Sequence, residues 1–553
     1  MVVGFVTGGS ESSPYEFTVR IASGVNSIPD RMLKVGDIVK VEFEYGNVGR
    51  VRIYGVVTEI TSSWDIEMRG FEESLAVEKG LKPKVWSFLA SVTTTRIVSE
   101  AEPSNPPDVP PIPGSPVELV DGEETSVALS FDTFEDRKLP IGILENGEPA
   151  YLDLGYILGD NGAHINISGQ SGVASKTSYM TFLMRSLVDT IGKSEKPIFI
   201  IFNVKGDDLM FIDHHNREWI GAPEWKKREW EKMYRKLGIR PEPFENVKFY
   251  AVSTSDVMRG SPDSPRKDAE VFSWGTDDFF DLGLFEMIFD PQELERNNNL
   301  MLAVANITEL MEGEHGGKYR RLVSNPFELM RELDDGGEVF NALSSSEVPK
   351  STIKLLRRRI KLVINMGLPK IWKREPSRIE WNVPGRITVI DIHKLRTRMQ
   401  ALVVGAVIRE IMREREKGYS KSTPVFVMID ELNKYAPRRE KSEIASIFRD
   451  LAERGRSFRV ILVGAEQTAS EVDYRVVTQA ATVVVGRQKW VELSKDEYGH
   501  LLPEQKRKAA TLMQGSVIVD QPFMRVPLVV RFPMPAWATS YSKIHVPQDE
   551  ELF

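Results

Sequence analysis

The sequence predicts an α/β protein with a mostly parallel sheet, a small N-terminal β-barrel and a helical insertion. Three observations carry this. Short, wholly apolar runs alternate with helical stretches in two separated regions. The first hundred residues instead hold short alternating strands broken by glycine turns. Between about 210 and 380 the apolar runs give way to charged helical segments. Strands that are apolar throughout are covered on both faces, as in parallel sheets flanked by helices.

The chain has 553 residues, room for three or four domains. Its 72 basic and 80 acidic side chains leave a net charge of −8, which excludes a uniformly basic nucleic-acid coat but permits a local basic channel. The absence of cysteine excludes disulfides, thiol nucleophiles and cysteine metal sites. The first residues lack a basic segment followed by an apolar one, so no signal peptide is expected. No run approaches the ~18 apolar residues of a membrane span. A cytoplasmic location without membrane contact is therefore expected.

Residues 1–100 read as the barrel. Val39, Val41, Phe43 and Tyr45 alternate with polar residues, and Val51, Ile53 and Val57 continue the apolar side after the Gly46–Gly49 turn. Residues 101–116 hold seven prolines, from Pro103 to Pro116, and read as a linker or surface strap. Residues 117–210 and 381–535 form the α/β core. HINISG runs into a glycine turn, and TSYMTFLMRSLVDTI follows with Tyr179, Phe182, Leu183, Leu187 and Ile191 near one stripe. PIFIIFNV, RITVIDI, PVFVMID, FRVILVGA and ATVVVGR are further strands. Residues 211–380 are the helix-rich insertion and 536–553 a C-terminal tail.

The segment NISGQSGVASKTS follows an apolar strand and opens a helix. A loop there can aim backbone N–H groups and a helix N-terminus at phosphate oxygens. Gly169, Gly172 and Ser175 belong to the loop, Lys176 reaches the β/γ-phosphates, and Thr177 offers its hydroxyl to Mg²⁺. Compared with the usual G-x-x-x-x-G-K-[ST] pattern, the loop is one residue longer and Ser175 stands before the lysine. An ordinary strand–turn–helix connection is the other reading of this segment.

In VFVMIDELNKYAP, Asp430 and Glu431 end an apolar strand. One acid suits a Mg²⁺ site and the other polarises an attacking water. A solvated pair opening a helix is the alternative. Gln467, after FRVILVGAE, can sense a γ-phosphate. Arg454, Arg456 and Arg459 crowd one turn, where an arginine either pairs with a surface acid or reaches a neighbouring subunit's site.

The order HINISG…SKTS, VFVMIDELNKYAP, AERGRSF, ILVGAEQ, VVVGRQ resembles the HerA group of HerA/FtsK ATPases, as do LPIGIL (Leu139 to Leu144) and the β-rich N-terminus. The resemblance covers nearly the whole chain, most weakly from 210 to 380. It implies a RecA-like P-loop core in a homohexameric ring that hydrolyses ATP with Mg²⁺ and moves along DNA without sequence specificity. It implies a nuclease or other effector as partner, in DNA end processing or phage defence. Carried over, Lys176 and Thr177 bind phosphate and Mg²⁺, Asp430 holds Mg²⁺, Glu431 is the base, Arg456 the finger given to the next subunit, and Gln467 the sensor. His164 stands where the family often has a histidine. A nucleotide-binding hexameric scaffold that organises an effector enzyme, with little motor activity, is the alternative. A conjugation-type DNA pump would normally need a membrane anchor.

His214 and His215, beside Asp213, are a conceivable metal site or ordinary residues. Asp207 and Asp208 act near the catalytic edge or cap a helix. Lys354, Arg357, Arg358 and Lys361 share a helix face, with Arg359 in the same basic run. That face either is simply solvated or contacts DNA phosphates or a partner.

Overall fold

The computed structural model describes residues 1–8, 11–21, 33–46, 49–64, 86–170, 176–256, 260–313, 316–346, 348–418, 423–440 and 442–544. The chain groups into two compact units. One comprises Met1–Tyr156, Arg235–Gly238 and Thr482–Pro533; the other comprises Ile157–Tyr234, Ile239–Ala481 and Met534–Phe553.

The first unit opens with β1 (Val2–Val6), β2 (Glu16–Ile21), β3 (Ile38–Glu44), β4 (Arg50–Trp64), β5 (Trp86–Ser99) and β6 (Pro116–Leu119). They close into a barrel in the order β1-β2-β5-β4-β3-β6, with antiparallel pairs throughout. Closure leaves no edge strand among them. Val39, Val41, Phe43, Val51, Ile53 and Val57 fill the barrel core, as their alternation requires. Tyr45 lies past the end of β3 and is exposed. The proline-rich segment leads from β5 to β6, and the Val6 carbonyl accepts from the Gly114 N–H at 2.8 Å. Then come β7 (Lys138–Ile143) and β8 (Pro149–Asp153), an antiparallel pair.

The second unit holds β9 (Ala163–Ser168), β10 (Ile198–Asn203), β11 (Val247–Ala251), β12 (Glu270–Val271), β13 (Ile387–Asp391), β14 (Val425–Asp430) and β15 (Val460–Glu466). Their order is β12-β11-β13-β10-β14-β15-β9, and every pair is parallel. Every residue of β9, β10, β13, β14 and β15 is buried, which explains the largely apolar pattern of the last four; β9 also buries His164, Asn166 and Ser168. Asp430 stands opposite Ala465, and Glu466 opposite Ser168, so the exit ends of three strands lie level.

Within 211–380 the sequence suggested helices, and the structure adds β11 and β12 at the sheet margin. VKFYA is only five residues long, with Val247 and Lys248 half-buried, so it lacks the apolar run that marks the central strands. The chain continues through β16 (Ala480–Val485), which pairs antiparallel with β17 (Ser516–Asp520). In the first unit β17 pairs with β18 (Leu528–Arg531), and β18 with β7, also antiparallel.

Five helices matter below: α1 (Lys176–Ile191), α2 (Asn298–Glu312), α3 (Lys350–Ile364), α4 (Thr397–Glu416) and α5 (Glu443–Arg454). Helix α1 buries its expected stripe and also Met180, Thr181, Met184, Arg185 and Ser186. Arg185 is tolerated inside because its guanidinium pairs with Asp189 one turn on. Helices α2 and α3 join one core through Leu300, Val304 and Ile307 and through Ile353, Leu356 and Ile360.

Candidate nucleotide and metal site

A parallel sheet presents ligand sites at the exit ends of its strands, where loops lead into helices. Four such ends contribute here. Strand β9 leads through Gly169 to Lys176, β10 to Lys205, β14 to Asp430 and Glu431, and β15 ends in Glu466 and Gln467. Gly172 and Ser175 lie outside the described residues. The Gly169 N–H donates to the Glu466 carbonyl at 3.1 Å, so this amide fixes the start of the loop against β15.

Lys176 opens α1 and is only 6 % exposed. Its Nζ has no hydrogen-bond partner among the described residues. Burial pushes this ammonium below its ordinary pKa, and the Asp430, Glu466 and Glu431 carboxylates oppose that shift. A buried cation without a bonded partner is unfavourable unless an anion arrives to meet it. Thr177 sits half-buried on the same first turn.

Asp430 and Glu431 are both buried. Asp430 Oδ1 accepts the Glu431 N–H at 2.8 Å. Glu431 has a φ of 58°, the left-handed region, which turns the backbone sharply as it leaves β14. Lys205 Nζ lies 3.2 Å from Asp430 Oδ2 and 2.8 Å from Glu431 Oε1. Lys434 pairs with the other Glu431 oxygen. Burial by itself would raise the Glu431 pKa; the Lys205 and Lys434 ammoniums outweigh it and hold the carboxyl below its ordinary value. Burial and the neighbouring Asp207 and Asp430 charges raise the Asp208 carboxyl. Asp207 accepts the Tyr541 N–H at 2.5 Å.

Two members of the cluster were not singled out in the sequence. Lys205 lies in the loop after PIFIIFNV, two residues before Asp207. Glu466 precedes the residue chosen there, and strand parity separates the two: Glu466 is fully buried beside Lys176, whereas Gln467 is exposed. The signal available was the acid itself, closing a strand of otherwise apolar residues.

Arg456 is not in this cluster. It lies before β15, at the entry edge, with Nε 3.0 Å from the Gly159 carbonyl and Nη2 2.7 Å from that of Asp160. Arg454 pairs with Asp450 and Glu416, and Arg459 with Glu195. His164 is buried between these elements. The Leu462 N–H donates to its Nδ1 at 2.9 Å, so its Nε2 carries the proton and donates to the Ala452 carbonyl at 3.0 Å. Burial pushes its pKa down to about 4.

His214 Nδ1 pairs with Asp213 at 2.8 Å, and Asp213 also pairs with Arg266. The backbone of His215 bridges to Trp537. On α3, Arg357 pairs with Asp334 and Arg359 with Glu293. Lys354, Arg358 and Lys361 remain exposed.

Among solved structures, the plasmid coupling protein TrwB in complex with ADP and Mg²⁺ superposes with a TM-score of 0.50 at 10 % identity, over 77 % of this chain and 95 % of that one. The chain has a RecA-like fold. The chain also aligns with VirB4 of Thermoanaerobacter pseudethanolicus, at 13 % identity over 71 % of this chain and 96 % of that one, with a TM-score of 0.45. No protein-family model and no curated protein matches the chain. No helix among the described residues is long and apolar enough to cross a membrane.

Proposed function

We propose that the protein is a ring-forming, Mg²⁺-dependent ATPase that moves along DNA without sequence preference, with a nuclease or other effector as partner. The observation that carries this reading is the buried Lys176 ammonium, which has no bonded partner among the described residues and lies beside the Asp430–Glu431 pair. The site fits the ligands. A triphosphate supplies the anion that Lys176 lacks, and hard oxygen donors from Thr177 and Asp430 suit Mg²⁺. When bound, Mg²⁺ neutralises charge developing on the phosphates.

The chain's own groups divide the work. Lys176 binds and orients the phosphates. Glu431 accepts a proton from the water that attacks the γ-phosphorus, and its lowered pKa keeps it ionised for that role. The Glu466 carboxylate favours the charged form of Lys176, and Gln467 is exposed near the same strand end.

The position of Arg456 supports a trans arrangement. From Val460 to Glu466, β15 spans about 20 Å at ~3.3 Å per residue. An arginine at the entry edge cannot reach its own chain's phosphates across that length. It serves a neighbouring subunit, with the active unit a closed ring.

The test combines variants. Lys176→Ala should lose ATP binding, and Glu431→Gln should keep binding while turnover falls at least ~10²-fold. Mixed rings of Arg456→Ala and Lys176→Ala subunits should regain turnover at interfaces where both residues are intact. Unchanged ATP affinity in Lys176→Ala refutes the site, and full activity in a monomer refutes the ring.

A further inference from the structure

We infer that Lys205 is a resident counter-cation of the metal site, holding the Asp430 and Glu431 carboxylates until a divalent ion displaces it. The inference rests on the reading of this site as a nucleotide and Mg²⁺ centre. Lys205 Nζ bridges the two acids, at 3.2 Å from Asp430 Oδ2 and 2.8 Å from Glu431 Oε1. One ammonium shared by carboxylates of two consecutive residues occupies the place a hard cation would take. Lys434 pairs with Glu431 alone, so Lys205 is the group common to both acids.

The surroundings fix the backbone of Lys205 and leave its side chain to move. Asn203 Nδ2 donates to the Gly206 carbonyl and to Asp391 Oδ1, each at 3.0 Å. Asp391 is itself held by Ser264 Oγ and His393 Nδ1, each at 2.6 Å. On the far side of the turn, Asp207 accepts the Tyr541 N–H. The turn is thus anchored to β13 and to the C-terminal segment. The Lys205 side chain is one-third exposed, against 8 % for Asp430, so it has an exit that the acid lacks. Two adjacent carboxylates without a cation repel each other and drift from the geometry that Mg²⁺ needs. Lys205 keeps them together in the empty state and lowers their affinity for a free divalent ion. Mg²⁺ arriving with the triphosphate would meet that competition with further ligands, because the phosphates held by Lys176 would bind it as well. Lys205 is therefore a positioning residue: it couples metal capture to nucleotide capture.

The probe is Mn²⁺ alone, titrated into the full-length protein without nucleotide and followed by electron paramagnetic resonance. Lys205→Met should bind Mn²⁺ about tenfold more tightly or better than wild type, since one of the charges at the pair is gone. Lys205→Arg should behave like wild type, and adding Asp430→Asn to Lys205→Met should abolish the gain. In turnover assays the Mg²⁺ concentration for half-maximal rate should fall in Lys205→Met. Circular dichroism checks the fold, and Lys205→Gln replaces the Met variant if that variant is misfolded. Equal Mn²⁺ affinity in folded Lys205→Met or Lys205→Gln and in wild type overturns the inference. Failure of wild type to bind a fluorescent ATP analogue, with the Mn²⁺ gain intact, would instead refute the nucleotide site and leave the counter-cation role standing.

Discussion

Acid should weaken this protein through His164, and replacing that residue should remove the weakness. Neutral His164 joins three elements: Nδ1 accepts from Leu462 on β15, and Nε2 donates to Ala452 on α5. Its pKa is pushed from the ordinary 6.5 to about 4 by burial. The folded chain therefore binds fewer protons here than the unfolded chain between those two values. Stability contributed by neutral His164 is present above pH 6.5 and is lost as pH falls through the window to 4. The difference of two and a half pKa units corresponds to about 3 kcal/mol. His164→Gln offers one acceptor and one donor but does not titrate. The φ of 65° at this position is a left-handed conformation that costs histidine and glutamine alike, and that cost does not vary with pH. Urea midpoints followed by tryptophan fluorescence from pH 7.5 to 4 should show wild type losing about 3 kcal/mol more than His164→Gln. Glu410 and Asp520, both raised to about 6, stabilise on acidification, but they are common to both proteins and cancel in the difference. Parallel pH profiles for the two proteins would refute the argument.

Other expectations follow the same geometry. Gly455→Ala places a Cβ 2.6 Å from the Val460 carbonyl oxygen and 3.3 Å from His164 Cε1, so it should cost about 1–3 kcal/mol, read as a lower Tm. Glu466→Gln removes a buried carboxylate beside Lys176 and should weaken ATP binding measured by fluorescence titration. If α3 contacts DNA, Arg358→Glu with Lys361→Glu should weaken binding to all sequences alike and flatten the log–log salt dependence by about 0.9 per lost phosphate contact. Arg357→Glu is the poorer probe of DNA, since Arg357 pairs with Asp334, and it should lower stability instead.

The sequence by itself determined what depends on neighbours in the chain. Strands β10, β13, β14 and β15 were legible because every residue in them is buried, so each reads as a largely apolar run, whereas β9 alternates apolar residues with His164, Asn166 and Ser168. The strand–turn–helix at Lys176 and the acids closing β14 were legible for the same reason: spacing along a few residues places them at strand exits. The barrel alternation was visible up to Phe43 and failed at Tyr45, where the strand had already ended. Strand order decided the rest. Lys205 meets Asp430 across 225 residues because β10 and β14 are neighbours in the sheet, and no local pattern encodes that adjacency. Pairing of β9 with β15 likewise puts Glu466, rather than Gln467, beside Lys176, and gives His164 its two partners. Arg456, which the resemblance gives to a neighbouring subunit's site, lies at the opposite edge of its own sheet because it precedes β15 whereas Glu466 ends it. On α3, periodicity gathered the basic residues on one face, and only the packing of other segments assigned Arg357 to Asp334 and Arg359 to Glu293. Helix and strand periodicity are local properties of the chain, whereas the partner of a charge is set by which distant segments the buried core brings together.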